Sequence, residues 1–149
     1  MGRAHGAPGA GRFTSRPAIG DGGHVAWIGA SRKGGVGGVY TWQPGVGVVT
    51  VEEDPAGGTA PLVAASDVAV NATGTVAWAS IGTRSSADGA FVWDPGTHVV
   101  SRLAGLGTVV DGVGLNRFGR FVGVDAQKRV VFLARGTKGG GSCRRWVAR

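Results

Sequence analysis

The sequence predicts an all-β protein built from tandem four-stranded antiparallel repeats, arranged as an incomplete, about three-bladed β-propeller-like array. Three observations carry this. The chain matches itself at an offset of 51 residues, the mark of a repeat architecture. Its apolar segments are short and lack helical spacing over any useful length, as expected of strands. Thirty of the 149 residues are glycine with no Gly-X-Y period, a usage that suits many tight turns and would burden helices by about 1 kcal/mol per residue.

The repeat has two blocks in one register. Gly23-His24-Val25-Ala26-Trp27 returns as Gly74-Thr75-Val76-Ala77-Trp78, and Tyr40-Thr41-Trp42-Gln43-Pro44-Gly45 returns as Phe91-Val92-Trp93-Asp94-Pro95-Gly96. A third copy is expected at an offset of 45, where Asn116-Arg117-Phe118-Gly119 answers Asn71-Ala72-Thr73-Gly74. On this alignment the third copy lacks both tryptophans.

Each unit reads as strands separated by turn chemistry. The first has His24 to Ala30, Gly38 to Trp42 and Val46 to Glu52. The second has Asp67 to Val70, Thr75 to Ile81, Ala90 to Trp93 and His98 to Leu103. The third has Gly112 to Leu115, Arg120 to Asp125 and Arg129 to Ala134. The repeat turns are expected at Gly20 and Gly23, Asn71 and Gly74, and Asn116 and Gly119, with Pro-Gly turns closing the later hairpins. Val25-Ala26-Trp27-Ile28 and Val76-Ala77-Trp78-Ala79 are continuous apolar runs, which implies burial on both faces, as for a blade packed between neighbours.

Charge divides the chain. Residues 1–16 carry three bases and no acid, and residues 135–149 carry five bases and no acid, leaving eight bases against nine acids between 17 and 134. The expected organisation is a disordered basic tail over 1–16, a repeat domain over 17–134 (units about 17–66, 67–111 and 112–134), and a second disordered basic tail over 135–149. With the excess placed in the tails, the body is not expected to bind nucleic acid. The single Cys143 excludes an internal disulfide. No apolar stretch reaches the roughly 18 residues of a membrane span, and Met1 to Pro17 lacks the apolar core of about 7 to 15 residues that a signal peptide needs.

The unit Asn-x-x-Gly-x-Val-Ala-Trp, followed by a loop and an aromatic strand ending in Pro-Gly, resembles the tandem repeats of secreted bacterial proteins, namely the HAF-type extracellular repeats and the choice-of-anchor tandem-repeat proteins. Glu53-Asp54-Pro55-Ala56-Gly57-Gly58 is similar to a segment of the latter. The resemblance covers residues 17 to 134 and implies an extracellular or cell-envelope location. A WD-repeat reading fails because Trp93-Asp94 and Gly23-His24 fall in different units. Ser86 to Trp93 approaches the Asp-box of sialidase-type propellers and stays a weaker alternative, its glycine standing one place early with no second copy.

No catalytic, metal or cofactor set emerges. His5, His24 and His98 occupy inequivalent positions without ligand spacing. The Gly34 to Gly38 run lacks the lysine and helix of a phosphate loop. Asp67, Asp88, Asp94, Asp111 and Asp125 scatter over turns, and the sequon Asn71-Ala72-Thr73 is already explained as a turn. Trp27, Trp42, Trp78 and Trp93 are expected to pack between blades, with repeated sugar-binding platforms as the alternative. Closed propellers use about 4 to 8 blades. The expected function is a non-catalytic repeat scaffold or interaction module that binds protein or, alternatively, carbohydrate once homo-oligomers complete a ring. The resemblance implies that it is part of or derived from a larger secreted bacterial β-propeller-like protein.

Overall fold

A computed structural model describes residues 10–13, 15–31, 37–53, 65–81, 88–136 and 143–148. The described residues contain strands and turns and no helix. His5, the first three residues of the glycine run (Gly34, Gly35 and Val36), and residues 54–58 of the segment quoted above lie outside them.

Glycine- and proline-bearing turns cut the chain into three antiparallel sheets. Sheet one contains β1 (Ala10–Phe13), β2 (Ala18–Ile19), β3 (Val25–Ser31), β4 (Gly37–Gln43) and β5 (Gly47–Glu53) in the order β1-β3-β4-β5, with β2 also on β3. Sheet two runs β6 (Ala65–Val70), β7 (Val76–Ser80), β8 (Gly89–Asp94) and β9 (Val99–Gly105). Sheet three runs β10 (Val109–Val110), β11 (Val113–Val124), β12 (Val130–Gly136) and β13 (Cys143–Ala148). All pairings are antiparallel.

The continuous apolar runs have the consequence expected of them. Every residue of β7 is buried. Val76 and Trp78 join Ala26, Ile28, Val39 and Val51 of sheet one, whereas Ala77 and Ala79 join Val122 and Val130 of sheet three. Alternate residues of a strand face opposite sides, so sheet two is packed on both faces.

Three expectations are corrected. Asn116 and Gly119 do not form a turn, because β11 runs through both, with register shifts at Leu115/Arg117 and Phe118/Val122. The backbone there is bulged rather than reversed, and a Cβ on Gly119 would stand 3.0 Å from that of Leu133. The third turn is instead Asp125 to Arg129, at an offset of 54 from Asn71. Its bonds, Asp125 N–H to Arg129 O and Lys128 N–H to Asp125 O, reproduce Asn71 to Thr75 O and Gly74 to Asn71 O, and likewise Gly20 to His24 O and Gly23 to Gly20 O.

The two ends are likewise not tails throughout. Ala10–Phe13 pairs with β3, and Cys143–Ala148 pairs with β12 from Val130↔Ala148 to Arg135↔Cys143. Each supplies partners to a row of backbone N–H and C=O groups that would otherwise stand open. Arg144 and Arg145 disguise β13 in the sequence, yet charge is common on edge strands.

The third copy also retains a tryptophan. Trp27↔Tyr40, Trp78↔Phe91 and Phe132↔Trp146 are the corresponding cross-strand partners of the three sheets.

Candidate functional site

The three repeat turns form a row. A Cβ on Gly20 would lie 2.5 Å from the carbonyl oxygen of Asn71, so the first turn packs backbone to backbone on the second and tolerates only glycine. The second reaches the third through the Asn71 side-chain amide, which donates to the Asp125 carbonyl at 2.8 Å. Gly23 and Gly74 take φ of 78° and 83°, and Lys128 takes 62° in the equivalent place.

Beside this row lies a repeated junction. Gln43 and Asp94 each end the third full strand of their unit. The Gln43 amide lies beside Gly74, where a Cβ would stand 3.4 Å from it and 2.9 Å from the His24 ring. One unit later, Asp94 is ion-paired with Lys128, the counterpart of Gly74. The Lys128 hydrogen bond, and after it the Gly96 amide at 2.7 Å, hold the Asp94 carboxyl below its ordinary value. Asp125 is also held low: desolvation opposes this, but the Arg129 amide and guanidinium outweigh it.

The four tryptophans divide by their place in the stack. Trp78 and Trp93 are 1% and 2% exposed and lie in the core between sheets one and two. Trp78 stacks on Phe91 with ring centroids 5.5 Å apart, and Trp93 meets His98 edge-on at 5.6 Å. Trp27 stacks on Tyr40 at 5.9 Å on the face of sheet one turned away from sheet two. Trp42, on that same outer face by strand alternation, is 40% exposed, and its cross-strand partner Val48 is 44% exposed. Their counterparts Trp93 and Val100 are cross-strand partners packed into the core. Sheet one thus presents outward the surface that sheet two buries against its neighbour.

The opposite end of the stack also carries apolar residues. By register Val131 and Leu133 of β12 correspond to Ala77 and Ala79, which face sheet three, and both are partly exposed on the far side of that sheet, near a 44% exposed Phe121. In the sequence the four tryptophans stand at equivalent repeat positions; what separates them is whether a sheet covers them, which no local residue records.

Among the described residues no three His, Cys, Asp or Glu side chains gather at metal-binding distance, and no helix is long and apolar enough to cross a membrane. No protein-family model, no curated protein and no solved structure matches this chain.

Proposed function

We propose that the chain is a non-catalytic repeat module, arranged as blades of a propeller-like array, that associates head to tail with a second copy of itself. The observation that carries this reading is the pair Trp42 and Val48, exposed on sheet one in the places where, on sheet two, Trp93 is buried and Val100 is partly buried against the core. An aromatic strand pair that seals one junction inside the chain is complementary to the Val131, Leu133 and Phe121 face at the far end. Because the two faces differ, the contact is heterologous and propagates into a ring or a filament. The resemblance to bacterial extracellular repeats supports the same reading, since repeated sheets stack on copies of themselves.

The carbohydrate reading calls for repeat-equivalent rings facing solvent. Trp42 meets that condition, and Trp93 does not.

Light scattering over a range of concentrations tests the proposal. The expected result is a ring of fixed size or a polymer that grows with concentration, which Trp42→Arg and Phe121→Arg each dissociate, with an unchanged strand-type circular dichroism spectrum. A wild-type chain that stays monomeric at every concentration overturns it.

A further inference from the structure

Away from that outer face, a cleft of about 280 Å³ opens where β7 ends beside the bulge of β11, lined by Ile81, Arg117, Phe118, Gly119, Arg120 and Arg135. Three of its six lining residues are arginine and none is acidic. Arg117 and Arg135 are direct cross-strand partners, which sets two of the guanidinium groups side by side on neighbouring strands. Neither Arg117 nor Arg120 meets an acid among the described residues.

The bulge is what brings the cations together. In a regular strand residues three apart face opposite sides, so Arg117 and Arg120 would diverge. The register shift between Phe118 and Val122 intervenes, and both line one cleft. Bulges commonly re-aim side chains in this way beside functional sites. All three arginines are exposed, whereas Phe118 is buried and Ile81 half-buried. Guanidinium forks match the paired oxygens of phosphate and sulfate groups.

The geometry points to an oxyanion-binding site in which Arg117, Arg120 and Arg135 hold a tetrahedral phosphate or sulfate group, with Ile81 and Phe118 as the apolar wall beside it. The site borders the Val131, Leu133 and Phe121 face, since Val131, Leu133 and Arg135 are alternate residues of β12, but it rests on the arginine cluster and the bulge and not on the association.

Thermal unfolding of the full chain in inorganic phosphate, in inorganic sulfate and in sodium chloride of matched ionic strength tests the site, with O-phosphotyrosine as the arm that presents the group on an apolar body. The expected result is a rise in Tm of about 3 °C in 10 mM phosphate or sulfate over the chloride control. A larger rise with O-phosphotyrosine identifies a group carried on an organic molecule, and an equal rise identifies the free ion. In Arg117→Gln the anion-dependent rise disappears, while the strand-type circular dichroism spectrum in chloride is unchanged. Arg16→Gln removes the same charge outside the cleft and retains the full rise. Equal Tm values in all three salts, or a rise that survives in Arg117→Gln, overturns the site.

Discussion

Asn71 and Asp125 perform the same task in consecutive turns, and the side chain of the first donates to the main chain of the second. The Asn71 Oδ1 accepts from the amides of Thr73 and Thr75 at 3.0 and 2.9 Å. The Asp125 Oδ1 accepts from those of Gln127 and Arg129 at 2.9 and 2.8 Å. Asn71 is buried, so truncation leaves amide donors without partners. Asn71→Ala is expected to cost about 2–3 kcal/mol. Asn71→Asp keeps the accepted bonds but turns a carboxylate toward the Asp125 carbonyl, and is expected to cost a similar amount. Urea unfolding midpoints check both.

Gly20 is the position where matching the repeat does harm. Asn occupies the equivalent place in the second unit, so a consensus argument favours Gly20→Asn as a stabilising change. The space argues otherwise, because a Cβ there would stand 2.5 Å from the Asn71 oxygen and 3.1 Å from the Val70 oxygen, both backbone atoms. Gly20→Asn is expected to destabilise by about 2 kcal/mol, measured by thermal unfolding.

Trp93→Ala and Trp42→Ala separate burial from repeat position. Trp93 fills the core between two sheets, and its truncation is expected to cost about 3–5 kcal/mol. Trp42 sits at the open face, and its truncation is expected to cost about 1 kcal/mol or less in the monomer. Calorimetry at low protein concentration, where association does not contribute, makes the comparison.

These cases show what local sequence contains. The strands β3 to β9 fall within two residues of their expected bounds, because Pro-Gly and Asn-x-x-Gly punctuate the chain and apolar runs record burial on both faces. The third unit escapes the repeat pattern because its turn uses Asp125 and Lys128 where the earlier turns use Gly20 and Gly23, or Asn71 and Gly74. Its aromatic partners are also exchanged, Phe132 standing where Trp78 does and Trp146 opposite it. The arginine cleft depends on a register shift within β11, which no spacing of Arg117 and Arg120 reveals.

Acid should loosen the junction between sheets two and three. The Asp94 carboxyl is held below its ordinary value by the Lys128 hydrogen bond first. A depressed folded value stabilises the fold above the unfolded carboxylate value of about 3.9 and loses that stabilisation as pH falls through the folded value. Asp94→Asn should therefore have a lower urea midpoint than wild type at pH 7, and the two curves should converge as pH falls from the unfolded carboxylate value through the lower folded one.

Lys128 sets two effects against each other. It adopts φ of 62° where the first two units have glycine, a conformation whose relief by Lys128→Gly is worth about 1 kcal/mol. The same change removes the ion pair with Asp94, whose partners are partly exposed, worth about 0–1 kcal/mol, and gives the unfolded chain more freedom. Lys128→Gly is thus expected to be neutral or mildly destabilising in wild type. In an Asp94→Asn background the ion pair is already gone, so the backbone relief counts for more. A double-mutant cycle by calorimetry should return a coupling of about 0.5–1 kcal/mol that shrinks in 1 M salt as screening weakens the pair. A coupling that is zero in low salt would mean that the turn geometry, rather than the charge, holds Lys128 against Asp94.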